Sequence, residues 1–345
     1  MTSIAYEQMA GLVYGTLVGD ALAMPVHWYY DREALHRDYG EVRDYLAPRN
    51  PHPGSILWRS NYQALNAKGE ILHDQARYWG QQGVHYHQNL KPGENTLNLQ
   101  LGRVLANCLT TSGSYDPDLY LKRFAEFMLT PGRHRDTYIE ECHRNFFTRY
   151  AQGKPLRKCG GEDIHIGGLA HVGILCAWLA NDETAARAAV RTHVSLTHNS
   201  PDVLKAADDQ ARILMAVLRG RSLEEAITNI ANEWLPPKQA QEWLRHPDSV
   251  IVGQRFSTAC YIRESFPATL YLALKYSEDI QSGLVANTNL GGDNCHRGAV
   301  LGALLGAANG FTKIPQRWRD GLMAKEELHG LCEAAARPNQ LLHHK

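Results

Sequence analysis

The residues Asn289-Leu290-Gly291-Gly292-Asp293-Asn294-Cys295-His296-Arg297-Gly298 gather more potential chemistry than any other stretch of this 345-residue chain. Two glycines, which let a backbone approach a partner closely, lead into a carboxylate, an amide, a thiol and an imidazole. All four are hydrogen-bonding or ligand groups. The sequence continues as a helix with Gly298, Gly302 and Gly306 at four-residue spacing. Each glycine costs about 1 kcal/mol against alanine in a helix interior, so three on one stripe predict a second backbone packed against it at short range. The segment reads as a polar site at a helix terminus. The plain alternative is a tight turn and a close helix crossing with no site.

Three further polar segments sit at helix boundaries. In Gly19–Trp28 a helix of small residues stops at Pro25, as helices do before proline, and presents His27 and Trp28 beyond it; a packed His–Trp corner is the alternative. In Lys91–Asn98 the adjacent Glu94, Asn95 and Thr96, with Asn98 behind them, exceed what a helix cap requires, although capping accounts for part of them. In Ser195–Asp202, Ser200 and Pro201 start a helix, and His198 holds the loop ahead of it.

These groups need elements to carry them. Apolar spacing at the helical period predicts helices over residues 4–22, 96–109, 117–129, 169–179, 182–195, 201–218, 222–234, 261–276 and 280–286. Alternating strand patterns are nearly absent, so the fold class is all-α with long loops. The irregular stretches 39–84, 86–95 and 153–168 are rich in Tyr and Trp or in glycine (Tyr39, Tyr45, Trp58, Tyr62, Tyr78, Trp79 and Tyr86 among them). That composition predicts ordered loops lining a pocket. No composition break divides the chain, so one domain over residues 1–345 is expected.

Thirty-six basic residues balance 36 acidic ones, which argues against duplex nucleic acid or an anionic membrane as partner. No apolar run is read as reaching about 18 residues, so no membrane span is expected. The N-terminus lacks the basic start of a secretory signal. Seven cysteines, at 108, 142, 159, 176, 260, 295 and 332, form no C-x-x-C pair and suggest reduced thiols in a cytoplasmic setting.

Together the segments resemble the ADP-ribosylglycohydrolase family. GLVYGTLVGDALAMPVHW looks like its N-terminal G-x-x-x-G-D-A-x-G-x-P-x-E. GENTLNLQL falls where the family has T-D-D-T before an apolar helix, and SLTHNSP is similar to its T-H-x-x-P. LVANTNLGGDNCHRGAVLGALLGAANG resembles its closing N-x-G-G-D-T-D-T-x-G-A-x-x-G, and Ile314-Pro315-Gln316-Arg317-Trp318 its I-P-x-x-W. These motifs run in order over about residues 10–320. The resemblance implies an orthogonal all-α bundle around a central cleft. It also implies cleavage of the bond between the anomeric carbon of ADP-ribose and an acceptor, with two magnesium ions held by carboxylates and threonine hydroxyls.

The chain departs from the family at those ligand positions. His27 stands for the N-terminal acid and Gly93-Glu94-Asn95-Thr96 for T-D-D-T. Asp293 keeps one acid, while Asn294, Cys295 and His296 replace the residues after it. Glu94 and Asp293 are too few anions for two neighbouring dications, so the magnesium pair is expected to be absent. A single zinc or iron ion on His27, Glu94, Asp293, Cys295 and His296 is one alternative. The other is a metal-free site in which His27, Trp28, Asn95, Thr96, Asn98, Asn294, Cys295 and His296 bind a neutral polyhydroxylated ligand. The expected function is a divergent hydrolase of a glycosidic bond in an ADP-ribosyl, ribosyl or nucleoside-like substrate, small or protein-borne, with Glu94 or Asp293 as general base. A ligand-binding protein that has lost the chemistry is the alternative, and a structural use of the fold, as in the family's crystallin-like relatives, a third.

Overall fold

The computed structural model describes residues 6–336 and contains, among them, no strand; three isolated bridges are the only β pairing. Sixteen α-helices follow one another: α1 (Tyr6–Ala23), α2 (Arg32–Tyr39), α3 (Leu97–Ser112), α4 (Pro117–Leu129), α5 (Glu141–Ala151), α6 (Val172–Trp178), α7 (Glu183–Ser195), α8 (Pro201–Leu218), α9 (Leu223–Ile230), α10 (Pro237–Trp243), α11 (Asp248–Ile251), α12 (Ile262–Lys275), α13 (Ile280–Asn289), α14 (Asn294–Asn309), α15 (Gln316–Gly321) and α16 (Lys325–Ala336). The chain is therefore all-α, and α4 and α8 begin and end where their apolar periodicity and N-terminal prolines place them. Ile4, read as the start of the first helix, lies outside the described residues. Helices α2, α5, α10, α11, α15 and α16 were not expected.

The axis of the fold is the antiparallel crossing of α1 and α14. Gly11, Gly15 and Gly19 of α1 face Gly306, Gly302 and Gly298 of α14 in that order, and a Cβ on any of the six would fall closer than 3.0 Å to the facing glycine's carbonyl oxygen. The second backbone expected from the α14 stripe is thus α1, which carries the matching spacing. Segment Tyr6–Val26 is long and apolar enough to cross a membrane by length and composition, contrary to the expectation that no run reaches that length. Its apolar window is wholly buried, as a helix at the centre of a protein core must be. The stretch between α2 and α3, with no α-helix, is packed rather than loose: His52, His85 and His87 are buried within it, and Trp79 Nε1 donates to the Thr137 carbonyl at 3.0 Å.

Candidate active site

The glycine crossing delivers the end of α1 to the start of α14, and the two ends are stitched by backbone. Gly291 and Gly292 adopt φ of 67° and 65°, open to glycine at little cost, and a Cβ on them would meet the Tyr29 and Thr258 carbonyls. Trp28 N donates to Gly292 O at 2.8 Å, Gly292 N to Tyr29 O at 2.7 Å, and Asp293 N to Thr258 O at 2.8 Å. Arg297, fully buried, donates from Nε to Asn287 Oδ1 at 2.7 Å and from a terminal nitrogen to Gly291 O at 2.8 Å, fixing the turn from behind. Trp28 itself has φ 62°, a strained conformation for a bulky residue. Its ring stacks on His27 with centroids 3.9 Å apart.

A continuous line of acids and imidazoles results. His27 Nε2 donates to Asp293 Oδ1 at 2.9 Å, and His296 Nδ1 lies 2.8 Å from the same oxygen. His296 Nε2 reaches Glu140 Oε1 at 3.3 Å. On the other side, His27 Nδ1 is 2.6 Å from His87 Nε2, and His87 Nδ1 is 2.6 Å from Asp136 Oδ1. Asp136 Oδ2 accepts from Leu97 N at 2.7 Å.

His27 Nε2 faces a carboxylate and must carry a hydrogen. Burial drives the His27 pKa down to about 3 against the pull of Asp293, so the ring is neutral and its Nδ1 is left to accept from His87 Nε2. For His296 burial works in the same sense, but the Asp293 and Glu140 carboxylates outweigh it and hold the imidazolium well above the ordinary histidine range. In return, despite a burial that would raise them, Asp293 and Glu140 are held well below the usual carboxylate range, chiefly by His296. Asp293 and His27 are 0% exposed, whereas the Glu140 side chain keeps 17% of its surface. Glu140 is the end of the line that solvent can reach.

Glu140 caps α5 by position only: its side chain makes no cap hydrogen bond, which leaves the carboxylate free for His296. Around this mouth stand aromatic rings. Trp28 meets Tyr86 and Tyr138 edge-on at 4.6 and 5.0 Å, and Tyr138 stacks on Trp79 at 5.8 Å. Tyr30 and Tyr261 remain half exposed. Of the loop aromatics expected to line a pocket, Trp79 and Tyr86 stand here; Tyr39 packs against Tyr29, Tyr45 donates to the Trp318 carbonyl and Tyr62 to that of Gly69.

The residues expected from sequence separate into groups. Asp293, His27, Trp28 and His296 come together. Glu94, expected as a catalytic acid, is instead clasped by Arg135 Nη2 at 2.8 and 2.7 Å and accepts from Lys91 N; no contact joins it to Asp293 among the described residues. Asn95 and Thr96 are turned inward to Asp20: Asn95 Nδ2 donates at 2.9 Å, Thr96 N at 2.9 Å and Thr96 Oγ1 at 2.7 Å. They secure a buried carboxylate rather than present groups to a ligand. Asn294 Nδ2 is spent on the Thr288 and Val26 carbonyls. Cys295 is fully buried, packed with Ala23, Met24 and Leu90. Asn98 Nδ2 donates to Gly167 O at 3.0 Å, beside Glu140 and His296.

The metal ligands expected as one set divide likewise. His27, Asp293 and His296 form one cluster and His27, His87 and Cys295 another, each with ligand atoms within 4.8 Å of one another. Glu94 belongs to neither. Sequence reasoning missed Glu140, His87, Asp136 and the partner role of Asp20. His85-Tyr86-His87 and the Glu140-Glu141-Cys142-His143 run were signals of the same type as the segments singled out.

The fold and sequence have relatives. A solved structure described as an ADP-ribosylglycohydrolase-related protein complex superposes with a TM-score of 0.67, covering 98% of this chain and 99% of that one at 22% identity. Crystallin J1A of Tripedalia cystophora is 23% identical over 332 residues, 91% of each chain. The model of the family described as ADP-ribosylglycohydrolase matches residues 1–344. With that match over nearly its whole length, the chain belongs to the ADP-ribosylglycohydrolase family.

Proposed function

We propose that this protein hydrolyses a glycosidic bond to a ribosyl or nucleoside-like unit, and that Glu140 is the carboxylate at the reacting centre. The observation that carries the reading is the line Asp293–His296–Glu140, which ends on a partly exposed, ionised carboxylate among aromatic rings. Glycoside hydrolysis passes through an oxocarbenium-like state with positive charge at the anomeric carbon. A carboxylate already fixed and ionised stabilises that charge without reorganising. Because its pKa is held low, Glu140 is a weak base; its part is to stabilise charge and orient water. His296 positions Glu140, and Asp293 positions His296. The partly exposed rings of Trp28 and Tyr138 suit a flat base or a sugar ring.

The donor set does not fit a magnesium pair. Hard cations need free carboxylate oxygens, and those available near the family's ligand positions are occupied. Asp293 Oδ1 is shared by two histidines, Asp20 by Asn95 and Thr96, and Glu94 by Arg135. Only Asp293 Oδ2 lacks a partner among them.

The test is release of free ribose or base from ADP-ribosyl conjugates, ribosides and nucleosides. Release that Glu140→Gln abolishes and Glu94→Gln leaves within a few-fold supports the reading; equal release by Glu140→Gln overturns it. The full burial of His27 and Asp293 favours a second reading, a binding protein. It would show a ligand-induced thermal shift with no turnover of any of these compounds.

A further inference from the structure

Beyond this line, a second set of chemically competent side chains meets where three remote segments converge. Cys142 lies in the first turn of α5, Asp163 in the glycine-rich loop before α6, and His198 in the turn before α8. One Cys142 Sγ, one Asp163 carboxylate oxygen and one His198 ring nitrogen all lie within 4.8 Å of one another. We propose that Cys142, Asp163 and His198 form a binding site for one zinc-class divalent cation, distinct from the Asp293 cluster.

Several observations point to a ligand there. His198 Nε2 is buried and has no hydrogen-bond partner. It stands 3.5 Å from Asp163 Oδ1, too far for a good hydrogen bond. That separation is close to the roughly 3.3–3.8 Å edge expected between two ligand atoms of one tetrahedral zinc ion with N, O and S ligands. The remaining ligand atoms need close by no more than about 1 Å, within side-chain adjustment. The thiol of Cys142, 6% exposed, is free.

The surroundings match those of a metal ligand set. His165 Nδ1 lies 2.8 Å from Asp163 Oδ1, the kind of outer contact that orients a ligating carboxylate. Thr197 Oγ1 and His198 Nδ1 are 2.8 Å apart; with His198 as donor, Nε2 keeps its lone pair for the ion. On the far side of His198 a cavity of about 20 Å³, bounded also by His143, His171 and Asn98, is large enough for one water. His143 brings two more buried ring nitrogens without partners. Thiolate with imidazole and carboxylate selects zinc-like ions over magnesium. Such an ion would tie the loop and the α8 turn to the end of α5 that carries Glu140. Binding would form a Cys142 thiolate–metal bond and release the thiol proton to water.

The experiment titrates metal-stripped full-length protein with Co²⁺ and reads the near-ultraviolet thiolate-to-metal charge-transfer band, with metal content per chain measured after Zn²⁺ loading. One ion per chain is expected. The band should be lost in Cys142→Ser and retained in Cys295→Ser, which removes the thiol beside His27 and His87. Asp163→Asn keeps the size and shape of a loop side chain that is only 10% exposed; Zn²⁺ should raise the Tm of the native protein and not of this variant. A band that survives Cys142→Ser, a band lost in Cys295→Ser, a Zn²⁺ shift unchanged in Asp163→Asn, or no stoichiometric binding overturns the proposal.

Discussion

His296 Nε2 stands 3.3 Å from Glu140 Oε1, while its other nitrogen faces Asp293 Oδ1 at 2.8 Å. The imidazole is thus a cation bridging a buried carboxylate and one that solvent reaches. Through this bridge the charge of a fully enclosed Asp293 is felt at the partly exposed Glu140. His296→Gln should therefore lower kcat by about 10²–10³-fold, the scale of losing one preorganised electrostatic partner, and change KM less. A measured kcat within three-fold of the native value would remove His296 from the positioning line.

Glu140→Gln and Glu94→Gln make a discriminating pair. Loss of the Glu140 charge should cost at least about 10²-fold in kcat/KM. Glu94 is paired with Arg135, whose side chain is 45% exposed; such pairs contribute about 0–1 kcal/mol. Glu94→Gln should then shift the urea midpoint slightly and leave turnover within a few-fold. The opposite ranking in steady-state assays would return the catalytic role to Glu94.

Stability should fall on mild acidification. His52 Nε2–H donates to His27 O and its Nδ1 accepts from Gly54 N; His171 Nε2–H donates to Asn98 O and its Nδ1 accepts from His193. A second proton has no acceptor at either ring, and burial lowers both pKa values from 6.5 to about 4. As pH drops from about 6.5 to 4, the unfolded chain takes up protons that these folded rings refuse, so stability is lost across that window. At about 1.4 kcal/mol per unit each loses roughly 3 kcal/mol, a large part of a typical 5–15 kcal/mol. His296 has the reverse sign: its raised pKa contributes stability already complete below about 6.5, so it offers no compensation there. Asp293 and Glu140, with lowered pKa values, lose their contribution only further into acid, below about 4. Far-ultraviolet circular dichroism with urea, repeated from pH 7 to 4, should show the midpoint falling steadily; a constant midpoint would contradict the tautomer assignment.

The sequence disclosed the parts whose physics is local. Gly298, Gly302 and Gly306 implied a close backbone because nothing else offsets their cost in a helix, and Pro25 marked where His27 and Trp28 leave α1. That crossing is what brings Asp293 and His296 to His27 and Trp28. Glu94, Asn95 and Thr96 read as one polar group because they are neighbours, while the partners that hold them, Arg135 and Asp20, come from elsewhere in the chain. Glu140 stayed hidden because α5 starts without a capping side chain to mark its first turn. His87 and Asp136 are joined by a contact between loop and helix-flanking segments that no periodicity encodes.

The helix crossing predicts opposite signs for two glycine-to-alanine changes. In Gly302→Ala the new Cβ would collide with the Gly15 carbonyl of α1, and backbone cannot yield as a side chain does. The cost should be at least about 3 kcal/mol. In Gly330→Ala, on the exposed side of α16, the Cβ meets nothing within 4 Å, so only helix propensity acts and stability should rise by about 0.5–1 kcal/mol. Chemical denaturation of both variants checks the pair; similar effects would refute the close approach of α1 and α14.

Asp293→Asn isolates the proton that Asp293 holds on His296. The amide keeps the shape of the carboxylate and removes its charge, leaving Glu140 as the only anion in contact with the imidazole. The His296 pKa should then fall from well above the ordinary range toward about 6.5. In the native protein His296 stays protonated through neutrality, so activity should be flat there. In the variant the imidazolium deprotonates as pH rises through neutrality, and Glu140 loses the cation that positions it. Activity should drop on the alkaline side while remaining measurable near pH 6. A pH–rate profile of the variant that merely scales the native one would show that His296 owes its charge to something other than Asp293, and the line from the buried acid to Glu140 would have no functional content.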